Sequence, residues 1–452
     1  MIDRPLTVAV SGAGGRMGRI YVPELLRQGH IVRVYDPQKD VLYQYERQGA
    51  TIYKNNRALV QGADVVLLLV PVRKTEDVLK DMSPQRPQDG HILRYLKPDV
   101  ILGSAASSKE WVAEQEIRYL PPTARIVEFH PMHGENIQPK GQNLLTVPVR
   151  DDGSGEALMQ ELFSPTGVKI RHVDSVSEHD QIMGEVQGGN HSVAFSRDTA
   201  WYLGGTDPDD NTVYADPFGD AKSLHSRRPL DLNLQVYVVT MMLNRFVPPY
   251  VQQYEDVLAE IYRKVIEGRR EELYRMFEED REHLGKDAIK DARERFAAVY
   301  GLALDDTGNS HISDLIWAEL DKRRNTRPTD FVEFESPHYS LGRMIKYAIL
   351  GGDIRRFVDN AIDNPQTQWQ DFNYARAVAV INQIIQSGDD VALLRHFERM
   401  KRFFNQKQMK RNLGTVGQHS TVLSRSLRQG TDEYARAYAE WRAESAASQE
   451  GN

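Results

Sequence analysis

Through residues 1–150, short apolar runs alternate with stretches of mixed polarity. The runs are Thr7–Val10, Ile31–Tyr35, Asp64–Val70, Val100–Leu102, Arg125–Phe129 and Leu144–Val147. Runs this short and β-branched, separated by helical patterns, predict a parallel sheet with helices on both faces. From Ser177 the period lengthens. Ser177-Glu-His-Asp opens a helix with capping chemistry and carries Ile182, Met183, Val186 and His191 on to Ala194. Met241–Ile266 repeats Val257, Ile261 and Val265 at four-residue steps, the mark of an amphipathic helix. Arg269–Arg295 is dense in both charge signs and reads as a solvated helical face. Val332–Asn360 and Tyr374–Phe404 continue the helical pattern, Gly204–Arg228 reads as a loop, and the end from Glu440 reads as frayed. The expected fold is α/β: a doubly wound parallel sheet over residues 1–172, then a mostly α-helical domain over 173–452.

Ligands of such sheets bind beyond the carboxyl ends of the strands. The first run is followed by Gly12-Ala-Gly14-Gly15-Arg16-Met17-Gly18. Glycines there let the backbone turn tightly and approach a pyrophosphate, which the amides of a helix N-terminus can hold. A strict Gly-x-Gly-x-x-Gly register ending at Gly18 would begin at Ala13, with Gly12 one residue early. Asp36 follows the second run, about twenty residues on, where an acid can take ribose hydroxyls. A carboxylate there repels a 2′-phosphate, so NAD is favoured over NADP, with Lys39 softening the preference. Loop and acid together predict a Rossmann-type dinucleotide domain, with Val70 and Pro71 after the third run also at the cofactor. The later runs end in Ser107 and Lys109, and in Phe129-His130-Pro-Met-His-Gly134. A neutral histidine at a strand end beside a nicotinamide has the pKa of a proton acceptor near pH 7.

Composition narrows the class. At 40% apolar and 27% charged, with 452 residues, the chain has the make-up of a globular protein of two or three domains. A net charge of −7 argues against nucleic acid as a partner. The absence of cysteine removes disulfides, thiolate metal sites and a cysteine nucleophile, and fits a cytoplasmic enzyme. The strand pattern begins at Leu6, so no secretory leader is expected ahead of it. The apolar runs Val65–Val72 and Val236–Leu243 are too short to span a membrane.

Four pieces resemble the prephenate/arogenate dehydrogenases: Gly14-Gly-Arg-Met-Gly18, Ala106-Ser-Ser-Lys109, His130-Pro-Met-His-Gly134 and Glu178-His-Asp-Gln…Gln187…His191. A fifth, Gly308-Asn-Ser-His-Ile-Ser313, resembles longer members. The resemblance implies a Rossmann domain and a helical domain that forms a homodimer. It implies NAD(P)-dependent oxidative decarboxylation of prephenate to 4-hydroxyphenylpyruvate in tyrosine biosynthesis, or of arogenate or a related cyclohexadienyl acid, without a metal. His130 would then be the catalytic histidine, Ser107 a partner for the ring hydroxyl, and Lys109 and His191 substrate residues. The family's arginine clamp for a substrate carboxylate meets Gln235 here. Arg227, Arg228 or Arg245 would then supply the charge, Arg245 standing next to a family-like Asn244-Arg-Phe. His133 and His179 are read as further from substrate, and His311 as core or pocket. A nucleotide-binding regulatory protein without catalysis is the alternative from another class.

Overall fold

The computed structural model describes residues 4–83, 95–134, 137–206, 221–222, 225–226, 229–230, 233–300 and 311–407. Arg227, Arg228 and the end beyond Glu440 lie outside them. The chain divides into two compact units, Met1–Met183 and Gly184–Asn452.

The first unit is built on eight strands: β1 (Thr7–Ser11), β2 (Ile31–Tyr35), β3 (Thr51–Ile52), β4 (Val65–Leu68), β5 (Ile101–Ser104), β6 (Arg125–Pro131), β7 (Asn143–Arg150) and β8 (Lys169–His172). Their order across the sheet is β3-β2-β1-β4-β5-β6-β7-β8. Successive residues of β4 serve different clusters, Val65 and Leu67 one, Val66 and Leu68 another, which is why the run is apolar throughout rather than alternating. Order reverses between β1 and β4, and the glycine loop emerges at that switch point.

Strands β1–β6 pair in parallel, as the pattern predicts, but β7 runs antiparallel to β6, with His130 opposite Leu145. Only eleven residues separate Pro131 from Asn143. A parallel return needs a crossover of about a dozen residues or more, usually with a helix, and this connection is too short for one. Strand β8 then pairs in parallel with β7. Its half-exposed Lys-Ile-Arg-His has no apolar run to announce it.

In the second unit the predicted long helices are cut at identifiable residues. Met241–Ile266 is two helices, Leu234–Leu243 and Val247–Ile266. Asn244 ends the first, its side chain accepting from the Phe246 amide (2.9 Å), and Pro248 sits in the first turn of the second, where a missing N–H costs nothing. Val257, Ile261 and Val265 are buried as expected. Gly285 (φ +93°) separates Arg270–Leu284 from Lys286–Tyr300, and Gly388 (φ +69°) ends Pro365–Ser387 before Asp390–Lys407. A π-helical segment, Gly184–Gly189, packs against Val247–Ile266 and leads into the helix Asn190–Gly204. No described helix is long and apolar enough to cross a membrane.

The helix Val176–Met183, which the change of period groups with the second half, belongs to the first unit. The reason is a single carboxylate, Asp180.

Candidate active site

In the first unit the glycine loop is shaped by absent side chains. Gly12 holds φ +79°, and a Cβ there would lie 2.6 Å from the Leu69 carbonyl oxygen and 2.9 Å from Val70. A Cβ on Gly18 would lie 1.9 Å from the Ala13 carbonyl oxygen. So Gly12 makes the turn and Gly18 the close helix approach, with one residue more between them than the strict motif allows. The amides of Gly12 and Ala13 both donate to the Tyr35 carbonyl. The following helix, Gly18–Arg27, begins at Met17 with no side-chain cap and no acid in its first turn. Its first amides and positive dipole end are therefore suited to a phosphate. Arg16 is exposed beside it. Asp36 turns back onto the loop, accepting from the Gly14 amide (3.1 Å) and the Gln38 amide (2.9 Å). Val70 abuts Gly12, while Pro71 is exposed. Loop, acid and Val70 thus converge, and the cradle that a Cβ would fill fits a dinucleotide.

His130 ends β6 fully enclosed. Its Nδ1 lies 3.0 Å from His179 Nε2, and His179 Nδ1 lies 2.8 Å from Asp180 Oδ1. A carboxylate only accepts, so His179 Nδ1 carries a proton toward Asp180. A neutral His179 then offers the lone pair of Nε2, and His130 donates to it from Nδ1. That chain of donors fixes the lone pair of His130 on Nε2, the tautomer of a base. Burial, then the nearby His179 and Lys109, push His130 well below the ordinary histidine range. It is therefore neutral at pH 7.

Asp180 is anchored from the other side. It accepts from the amides of Lys109 (2.8 Å) and Glu110 (3.0 Å) and from Ser108 Oγ (3.3 Å). It thereby caps the helix Glu110–Tyr119, which has no side-chain cap of its own. Sequence reading gives that capping to Ser107, or keeps the Ser177-Glu-His-Asp chemistry within its own helix. Instead the carboxylate reaches across to a helix seventy residues earlier, and in doing so holds the loop of half-buried Ser107 near the His179–His130 pair.

Lys109 corrects one expectation. It is wholly buried, and its ammonium donates to the Ser104 carbonyl (2.7 Å), Glu128 Oε2 (2.9 Å) and the Phe129 carbonyl (2.9 Å). All three N–H groups are spent inside the protein, so it ties β5 to β6 and does not reach a substrate. Glu116, beside this pair, is pushed well up by burial and by Glu128. His133 is structural too, packed on Tyr21 and 3.3 Å from its hydroxyl.

The second unit holds a separate set of groups. His191 packs edge-on to Tyr237 (4.6 Å) and is stacked with His338 (5.5 Å), which stacks on His225 (4.1 Å). Beside them Asp314 binds Arg197 Nη1 (2.7 Å) and Lys222 Nζ (2.9 Å) and accepts from the His311 amide (2.9 Å). Burial alone would raise the Asp314 carboxyl, but Lys222 and Arg197 hold it well below its usual range. His311 is thus a core residue at a 3₁₀ turn, pushed down to about 4 by burial. Gln235 and Arg245 do not join this group: both are exposed, and Arg245 lies over the Phe246 ring (4.7 Å). Arg197, Lys222 and Asp314 escape sequence reading because they are far apart in the chain. Only the Gly308–Ser313 resemblance hinted at that region. Among the described residues no cluster of histidine and acid could hold a metal.

Residues 23–144 match the family described as prephenate dehydrogenase, nucleotide-binding domain. Residues 189–419, more than half of the chain, match a 6-phosphogluconate dehydrogenase C-terminal domain. A probable prephenate dehydrogenase [NADP(+)] of Schizosaccharomyces pombe is 24% identical over 261 residues, 57% of this chain and 58% of that protein. A probable arogenate/prephenate dehydrogenase of Methanocaldococcus jannaschii is 21% identical over 306 residues, 67% of this chain and 66% of that protein. The match therefore spans less than two thirds of either relative. Among solved structures, prephenate dehydrogenase from A. aeolicus in complex with hydroxyphenyl propionate and NAD+ shares the fold. Its TM-score is 0.50 at 19% identity, covering 62% of this chain and 97% of that one. With a nucleotide-binding domain of that description ahead of the matching helical domain, the chain belongs to the prephenate/arogenate dehydrogenase family.

Proposed function

We propose that this protein is an NAD-dependent prephenate dehydrogenase, with arogenate or a related cyclohexadienyl acid as the alternative substrate. The single observation that carries the reading is the Asp180–His179–His130 chain, which presents a neutral imidazole with its lone pair on Nε2 at the sheet edge that also bears the glycine loop. When bound, the nicotinamide accepts the hydride from the ring carbon that carries the hydroxyl. His130 Nε2 takes the hydroxyl proton in step, leaving a carbonyl on the ring. Ser107 serves as the second contact of that oxygen. The ring carboxylate then departs as carbon dioxide, its bonding electrons entering the ring, which becomes aromatic. Burial of His130 excludes water from the proton transfer.

NAD over NADP belongs to the same reading, supported by Asp36 at the loop, whose carboxylate opposes a 2′-phosphate. So do a cytoplasmic location and a homodimer, the latter supported by Trp369 and Phe372, 50% and 61% exposed on the helix Pro365–Ser387. Formation of NADH on addition of prephenate, and then of arogenate, is the test. His130→Asn is expected to abolish turnover, by at least about a hundredfold, while NAD still binds. Wild-type turnover in that variant removes the mechanism. No reduction with either acid removes the function and leaves a nucleotide-binding protein of another kind.

A further inference from the structure

The second unit contains a pocket of about 490 Å³, its open mouth included, whose lining carries donors in excess of acceptors. Arg197, Lys222 and Lys346 supply three cations, and Asp314 is the one acid among the lining residues. Both Asp314 oxygens are already engaged, by Arg197 and by Lys222 with the His311 amide. The carboxylate therefore orients two cations without exhausting either: a guanidinium has five N–H groups and an ammonium three.

The decisive group is Asn190. It lines the pocket, is 2% exposed, and its Nδ2 finds no acceptor among the described residues. A buried amide N–H₂ without a partner costs stability, and natural chains keep such groups where a ligand supplies the missing acceptor. Burial also pulls the Lys346 ammonium below its ordinary value, against the pull of Asp321 and Glu185. An anion in the pocket would relieve that as well. Val193, Ile345, Ile349 and Trp317 complete the wall, with Lys346 Nζ 5.4 Å from the Trp317 ring. Apolar surface beside fixed donors suits an organic acid with a hydrocarbon body better than a fully hydrated inorganic anion.

We propose that this pocket binds the carboxylate of a small organic acid, with Asn190, Arg197 and Lys222 as its donors. The inference stands whether or not the dehydrogenase reading does, because it uses only groups of the second unit. The test is calorimetric titration of the full chain, without nucleotide, using 3-(4-hydroxyphenyl)propionate, its neutral amide and inorganic phosphate. Asn190→Leu removes a donor that holds nothing in the protein, so the variant should unfold at the same temperature as the wild type or higher. Its affinity for the acid should fall by about tenfold to a hundredfold, the worth of a hydrogen bond to a charged group. Lys222→Met should weaken binding likewise, while His130→Asn should not. The neutral amide should not bind, and phosphate should not displace the acid. Uptake of the acid that is unchanged in Asn190→Leu, equal binding of the amide, displacement by phosphate, or no uptake by the wild type at millimolar acid would each overturn the proposal. Loss of turnover with intact acid binding would count against the dehydrogenase reading alone.

Discussion

Asp180 receives hydrogen bonds from Lys109, Glu110, Ser108 and His179, so this one carboxylate governs both a helix start and the tautomer of the base. Its consequence at His130 is measurable. The folded-state pKa of His130 is lowered, so the imidazole stays neutral to lower pH than a free histidine. kcat/KM for prephenate should therefore stay level as pH falls through about 6.5 and decline only below it. A profile measured from pH 4.5 to 8 with an acid limb at or above 6.5 would contradict the burial argument. Lys109 makes a different prediction. Lys109→Met leaves Glu128 buried without its cation, and such losses cost about 3–5 kcal/mol. Urea unfolding should show that loss, whereas a substrate lysine would raise KM and leave stability unchanged.

At the level of elements, what could be read in the chain and what could not divide along a physical line. The strands β1, β2, β4, β5 and β6 were legible because each is an apolar run, and the glycine loop because it needs particular residues at particular places. The direction of β7 was less so: direction follows from the length of a connection, and Leu144–Val147 looks alike whichever way it runs. Asp180 as the cap of Glu110–Tyr119 was illegible because capping patterns are local and this contact spans seventy residues. Of the candidate site, the residues tied to a local motif, Gly12 to Gly18, Asp36 and His130, are placed together by the fold. Lys109, Gln235 and Arg245, chosen for charge alone, are not. The loop itself offers a sharp test. Gly18→Ala puts a methyl 1.9 Å from the Ala13 carbonyl oxygen, a distance no rotamer can relieve because the Cβ is fixed by the backbone. NAD affinity, measured by fluorescence titration, should fall by about a hundredfold or more, since the helix must back away from the phosphate it would hold. An unchanged affinity would mean that the dinucleotide lies elsewhere.

Taken whole, the molecule keeps its apolar clusters within its units: one in the helical unit, two on the sheet of the first. Each unit thus has the material for its own core. The first, with loop, Asp36 and Val70 in one piece, should bind NAD when expressed alone. Where it is cut decides whether it folds well. Residues 1–183 retain Asp180, His179, Ile182 and the fully buried Met183. Residues 1–172, the extent that the change of period suggests, lose all four. The shorter piece forfeits a helix cap, about 1 kcal/mol, and the burial of two large apolar side chains, about 1.5–3 kcal/mol each. It also strands the Nδ1 hydrogen of His130, which donates to His179 in the longer piece. The 1–172 piece should be less stable than 1–183 by at least about 3 kcal/mol in urea unfolding, enough to leave a domain of ordinary stability largely unfolded at modest denaturant. Equal stability of the two would show that the Val176–Met183 helix adds nothing to the first unit, and with it would go the argument that Asp180 holds His130 in place.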